Sequence, residues 1–182
     1  AAPRNPGTAQ VADNVPICVM EFPPLMTFVK EKGIGLVIVG PEDPLAAGLT
    51  DFLQAAGVKV FGPSKAAAQI EGDKWFAKEI MRHQAVPTAE ARSFTDAAAA
   101  EEFVRMRGAP IVVKASGLAK GKGVSVCYRV EEAIAAIESI MRDKAFGEAG
   151  ARVVIEEKMN GPECSILAFV DRKNIYVMES AQ

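Results

Sequence analysis

Residues Ile111 to Val124 constrain the fold more than any other stretch. The apolar run Ile111-Val112-Val113 is followed by a lysine, Lys114. The chain then opens into Ser116-Gly117-Leu118-Ala119-Lys120-Gly121-Lys122-Gly123 and returns to Val124-Ser125-Val126-Cys127. Two β-type runs about a short Gly-rich loop predict an antiparallel hairpin. Glycine lets backbone N–H groups converge closely on an anion, and lysine supplies the charge that polyphosphate needs. The G-x-x-x-x-G-K-[ST] order is absent, so this is not a Walker A loop. A strand follows rather than a helix, so it is not a dinucleotide fingerprint either. Taken alone, the loop suits a solvated, lysine-bearing hairpin as well as a phosphate cover.

The rest of the chain divides by pattern. Arg4 to Asn14 is polar, with Pro and Gly, and reads as a loop, and Ala1 to Gly7 has neither the basic opening nor the apolar core of a secretory leader. Leu25 to Lys32 predicts a short helix ended by Gly33, and Leu36 to Val39 a buried parallel strand. Pro44 to Ala56 predicts one helix, and Val58 to Phe61 the next strand, closed by Gly62-Pro63. Helix–strand–helix–strand over 25–62 is α/β alternation of the doubly wound kind. Ser64 to Gln84 reads as helix broken near Gly72, and Val86-Pro87-Thr88 as a linker. Beyond it the pattern becomes α+β. Ala97 to Arg107 is a helix, the lysine hairpin follows, and Val130 to Ala145 is an amphipathic helix. Three β-type runs come last: Val153 to Glu156, Ser165 to Val170, and Ile175 to Met178.

Composition narrows function. Of 182 residues, 49% are hydrophobic and 24% charged, as in ordinary globular proteins. A formal net charge of −2 gives no support for nucleic-acid binding. No apolar run reaches the about 20 residues that span a bilayer as a helix. Cys18, Cys127 and Cys164 are odd in number, far apart and flanked by apolar residues, which predicts buried thiols in a reducing compartment and neither disulfides nor a zinc site. The single histidine, His83, reads as a helix-end residue.

Three further features accompany the hairpin. Glu71-Gly72-Asp73-Lys74 opens a helix, and its Lys74 could aim a second cation at a phosphate, although an exposed first-turn lysine is common. Val154-Ile155-Glu156-Glu157-Lys158-Met159 ends a strand in two carboxylates and a Met; such a strand end suits a purine amine or ribose hydroxyls, although taken alone it is more often a solvated edge. Gly40-Pro41-Glu42-Asp43-Pro44 lies at the carboxyl end of a parallel strand, where open α/β sheets bind ligands, and its carboxylates also suit a helix N-terminus.

In order, these segments resemble a known family. Gly-Pro-Glu-x-Pro-Leu-x-x-Gly (Gly40 to Gly48), Phe61-Gly62-Pro63, Glu71-Gly72-Asp73-Lys74, Val113 to Gly123, Ala145-Phe146-Gly147, and Val154 to Glu157 with Gly161 and Glu163 are similar to glycinamide ribonucleotide synthetases, the ATP-grasp ligases of purine biosynthesis. Arg4-Asn5-Pro6-Gly7-Thr8 resembles that family's Ala-Pro-Gly-Asn-Ala-Gly-Thr loop. The likeness runs from about Ala2 to Gln182. The Lys and Glu positions would suit any ATP-grasp enzyme; the Gly40-to-Gly48 motif narrows it. Arg4, Pro6, Lys120 and Pro162 depart from the family's usual Gly, Ala, Ala and acidic residue. The family's opening strand and its later metal-holding Glu and Asn are not matched, so the chain reads as a central fragment.

The resemblance implies a partial Rossmann-like, pre-ATP-grasp α/β domain over 1–70 and a linker helix over 71–92. An α+β ATP-grasp small lobe over 93–158 and the start of the large lobe over 159–182 follow. It implies an intact cytoplasmic enzyme joining glycine to 5-phosphoribosylamine through glycyl phosphate, alone or within a multifunctional purine-pathway polypeptide. Cofactor-binding residues would be Lys74 and Lys114 for the phosphates, and Gly117, Gly121, Lys122 and Gly123 as a mobile lid. Glu156, Glu157 and Met159 would frame the adenine, and Glu163 would take the ribose. Lys74, Lys114 and Glu163 would then share one cleft. Asn5, Thr8 and Glu42 are candidates for the phosphoribosyl side. Magnesium ligands are expected beyond Gln182, no catalytic residue is assigned here, and this stretch alone is expected to be inactive. Two alternatives stand beside this reading. One is another ATP-grasp ligase such as a biotin carboxylase, whose Gly-Asp-Lys resembles Gly72-Asp73-Lys74. The other is a non-catalytic nucleotide-binding module.

Overall fold

The computed structural model describes the chain except for Arg4, Lys120, Arg172 and Gln182. The departures at Arg4 and Lys120 therefore lie outside the described residues. In the first part, helix α1 (Phe22–Glu31) leads to strand β1 (Val37–Ile38), helices α2 (Glu42–Ala47) and α3 (Leu49–Ala55), and strand β2 (Val60–Phe61). β1 and β2 pair in parallel, Val37 opposite Val60, as the alternation predicts. The predicted single helix over Pro44 to Ala56 is two. Gly48 adopts φ 99°, left-handed backbone that closes α2 and opens α3. The strand is also less buried than predicted. Val39 packs with Leu45, Leu49 and Leu53 and is buried, whereas Ile38, which alternation turns the other way, is 64% exposed. Val39, Leu45, Leu49, Leu53 and Ala68 form the core beneath the sheet.

Helix α4 (Lys65–Gly72) starts on Ser64, whose Oγ accepts the Ala67 N–H, and helix α5 (Lys74–His83) starts on Asp73. His83 closes α5, as predicted. A second sheet follows: β3 (Ala91–Phe94), β4 (Ile111–Ala115), β5 (Val124–Cys127) and β6 (Val153–Glu157), in the order β3-β6-β4-β5 and antiparallel throughout. The lysine hairpin is thus β4–β5. Sequence pattern missed β3, whose Ala-Arg-Ser-Phe is no apolar run; backbone pairing with β6 makes it a strand.

Helices α6 (Ala97–Arg107) and α7 (Val130–Ile137) cover one face of this sheet. Strand alternation puts Ile111, Val113, Ala115, Val153 and Ile155 on that face, packed with Ala100, Val104, Ala133 and Ile137. Lys114, Val154 and Glu156 consequently point to the other face. The predicted helix to Ala145 widens at Glu138–Arg142 into a π-turn, closed by the Asp143 N–H on the Glu138 carbonyl. There Gly150 presses on the helix so closely that a Cβ would sit 2.5 Å from the Ile140 carbonyl oxygen.

The last two predicted strands do not join this sheet. β7 (Ala168–Asp171) and β8 (Asn174–Val177) form a separate antiparallel pair, exposed along both strands. Phe169 meets the Phe61 ring at 5.3 Å. Cys127 is buried, but Cys18 and Cys164 are exposed. They lie in segments with few packing partners, so flanking apolar residues were a poor guide to their burial.

Candidate nucleotide site

The polar face of the second sheet gathers its charge from three elements. Lys114 of β4 and Glu156 of β6 stand diagonally across the ladder, where Val112 opposes Glu156 and Lys114 opposes Val154. Lys114 Nζ donates to Glu156 Oε2 at 2.8 Å. Lys78 of α5 reaches the same oxygen at 3.4 Å. Glu156 is only 6% exposed, and its charge is tolerable there because both ammonium groups flank it.

Lys74 enters from the start of α5. Its Nζ donates to the Gly117 carbonyl at 3.0 Å. Burial, first, and the neighbouring Lys114 charge hold its ammonium below the ordinary lysine value; Glu71, Asp73 and Glu156 act the other way. Two cations near each other on an open face, each with protons to spare, suit a polyanion better than either suits its present setting.

The root of the glycine–lysine loop is latched to α5. Asp73 Oδ1 accepts the Ser116 hydroxyl at 2.6 Å and the N–H groups of Trp75 and Phe76 at 3.0 and 3.2 Å. The Lys74 N–H donates to the Ser116 carbonyl at 2.8 Å, and Asp73 and Gly117 form an isolated antiparallel bridge. Gly117 cannot carry a side chain, since a Cβ would lie 2.7 Å from Ala149 Cα. Gly123 is equally confined, with Ala119 Cβ at 2.6 Å from the same position, while Gly121 adopts φ 74° with open space around it. Close packing thus explains two of the glycines, and backbone conformation the third. Lys122 is exposed and makes no ion pair among the described residues.

The sequence-predicted residues divide. Lys74, Lys114, Glu156 and Gly117 come together. Glu157 does not join them: it lies on the opposite side of β6, where its Oε1 accepts the Glu90 N–H at 2.9 Å. Adjacent strand residues face opposite ways, so Glu156 and Glu157 cannot both frame one ligand from this face. Glu156, held between two lysines, is a counter-ion in this arrangement. Met159 is 69% exposed beyond β6, and Glu163 is exposed without a hydrogen bond or ion pair among the described residues. Neither is drawn to the lysine face by such a contact. Asn5 and Thr8 build their own turn: Asn5 Oδ1 accepts the Gly7 N–H at 2.7 Å, and Thr8 Oγ1 bonds Asn14 Oδ1 at 2.6 Å. Glu42 is exposed in the first turn of α2. Lys78 and Ser116 were not singled out from sequence. Lys78 had a legible signal, since it follows Lys74 by four positions and shares its helix face. Ser116 had none.

No group of three or more His, Cys, Asp or Glu residues among the described residues could hold a metal ion. The charge exposed on this face is mainly that of lysines, which does not fit a divalent metal by itself. No helix among the described residues is long and apolar enough to cross a membrane.

Comparison with known proteins places the chain among relatives. The family model described as phosphoribosylglycinamide synthetase, N domain, matches residues 1–71. That for the ATP-grasp (A) domain of the same synthetase matches residues 72–182. The phosphoribosylamine–glycine ligase of Haemophilus influenzae is 49% identical over 100% of this chain, which spans 43% of that relative's length. The crystal structure of phosphoribosylamine–glycine ligase from Thermotoga maritima is similar at TM-score 0.78 and 27% identity, over 97% of this chain and 41% of that one. A biotin carboxylase from Campylobacter jejuni shares the fold at TM-score 0.65 and 21% identity, over 80% of this chain and 33% of that one.

Proposed function

The chain belongs to the phosphoribosylglycinamide synthetase family, and from that premise we propose that the protein carrying it ligates glycine to 5-phosphoribosylamine at the expense of ATP, in purine biosynthesis. One observation carries the reading. Lys74 and Lys114, forty positions apart in sequence, meet at the root of the glycine–lysine loop on the open face of the sheet.

A carboxylate is a poor electrophile. Moving the γ-phosphoryl group of ATP onto a glycine carboxylate oxygen gives an acyl phosphate and ADP. The amine of phosphoribosylamine then attacks the acyl carbon, the C–O bond to phosphate breaks, and the amine loses a proton. Such transfers need positioning and charge neutralisation more than covalent help. Lys74 and Lys114 would neutralise phosphate oxygens. The loop Gly117 to Gly123, rooted by Asp73 and Ser116, would cover them and exclude water from the acyl phosphate. Met159 and Glu163, on the segment after β6, would meet the nucleoside. Asn5, Thr8 and Glu42 stay candidates for the phosphoribosyl side through the first part of the chain. Magnesium would be bound by residues other than these. The two domain matches meet beside Gly72, and the boundaries 70/71, 92/93 and 158/159 are our proposed divisions. Cytoplasmic residence fits three free thiols.

The test is glycine-dependent ADP release by the full-length protein with ATP, magnesium and phosphoribosylamine. Lys114→Met should lower kcat/KM by about a hundredfold or more, the scale of losing a charged contact to the transferring group. The isolated 182-residue chain should give no sustained turnover. Release that is independent of glycine, or that needs bicarbonate instead, would overturn the reading.

A further inference from the structure

The two lysines that share Glu156 are not equivalent. Lys78 Nζ donates to Thr88 Oγ1 at 2.7 Å and to the Ala89 carbonyl at 2.9 Å, besides its ion pair to Glu156. Two of the three ammonium protons are donated to these oxygens, the Glu156 carboxylate stands 3.4 Å away, and the side chain is 11% exposed. Lys114 has Glu156 as its one hydrogen-bond partner among the described residues, and its side chain is 26% exposed. One lysine is fixed and the other has protons free on the open face. Glu156, 6% exposed, cannot be left without a counter-ion at acceptable cost.

We propose that Lys78 is a positioning residue: the permanent counter-ion of Glu156, which lets Lys114 turn from that carboxylate to an incoming polyphosphate. This rests on the reading of the face as an ATP site. With Lys78 present, Glu156 stays compensated when Lys114 leaves, and the carboxylate's pull on Lys114 is shared. With the Lys78 charge removed, Glu156 has Lys114 alone, and every phosphate must compete with a buried carboxylate for it. Lys78 acts only through Glu156 and need not touch the nucleotide.

The experiment uses the full-length ligase and reads KM for ATP and kcat of glycine-dependent ADP release. Lys78→Gln keeps a side-chain donor for Thr88 or Ala89 but loses the charge. It should raise KM for ATP about tenfold, within the usual range for coupled neighbours, and leave kcat within about twofold. Lys78→Arg should restore KM. Adding Glu156→Gln to Lys78→Gln should bring KM back toward the parent value, because the competing charge is gone. A merely structural role predicts no such recovery, since the second substitution would add to the damage. Thr88→Val, at an exposed position, loosens the Lys78 anchor without removing its charge. It should raise KM in the same direction by about twofold, which keeps the test decisive should Lys78→Gln not fold. An unchanged KM in Lys78→Gln, an unchanged KM in Thr88→Val where the former cannot be purified, or a double variant no better than the single would overturn the proposal. Lys114→Met separates the two levels. If it leaves KM for ATP unchanged, the ATP reading of this face fails and the role of Lys78 with it. If it raises KM while Lys78→Gln does not, only the role of Lys78 fails.

Discussion

At the scale of single residues, the candidate site is an exercise in keeping charge partly buried. Lys74 shows the cost directly. Burial pushes its pKa below the ordinary value of 10.5. The unfolded chain therefore holds that proton more tightly than the fold does. Between the lowered value and 10.5 the fold gains stability as pH rises, and that contribution is lost as pH falls through the lowered value. Urea titrations of the chain and of Lys74→Met, from neutral pH up to 10.5, should show the parent gaining on the variant with pH. A parallel pair of curves would argue against the burial of this ammonium. Lys74 was readable in sequence as a cation at a helix start, where it opposes the helix dipole. Its contact with Gly117 was not, because forty-three positions separate them in the chain.

At the scale of elements, α5 joins fold to site. Its cap, Asp73, holds the helix N-terminus and the loop root at once through Trp75, Phe76 and Ser116. Ser64 does only the first of these tasks, for α4. Ser64→Ala should cost about 1 kcal/mol of stability, and Asp73→Ala about 2 kcal/mol, the upper end for a cap, since the Ser116 hydroxyl loses its acceptor as well. Equal losses in denaturant unfolding would show that the Asp73–Ser116 contact contributes nothing. The helices and the hairpin were legible from spacing and from Gly and Pro. Departures came where packing outweighed local pattern: Gly48 divides a predicted helix, the segment after α7 widens into a π-turn against which Gly150 packs, and β3 exists only because β6 pairs with it.

At the scale of the whole molecule, two cores sit on two sheets. Leu53, Leu49 and Leu45 centre one; Val113, Val153 and Ile137 centre the other. Among the described residues no strand pairing joins these two sheets. Leu53 is 1% exposed, and Leu53→Ala should destabilise the first core by about 2–5 kcal/mol. Amide exchange at Val113 and Val153 should remain slow in that variant if the cores open separately; loss of their protection would show one cooperative unit. Ile38, Ile175 and Tyr176 are each more than half exposed, an unusual burden of apolar surface. Strands this short and this open gain little from burial, so independent stability is expected to be modest.

The sequence by itself determined the kinds of element, the hairpin with its lysines, the change of pattern after Pro87 and the family. Each of these is written in local periodicity, in turn residues, or in short motifs of fixed spacing. It also carried Lys74, Lys114 and Glu156 as candidates. Tertiary structure alone decided that Glu156 serves as a counter-ion while Glu157 faces the other way, that Lys78 is the fixed partner, and that Ser116 ties the loop to α5. The reason is physical. A buried charge is placed by whichever opposite charge the folded chain brings within about 3 Å, and residues 42 or 43 positions apart carry no local pattern that says so.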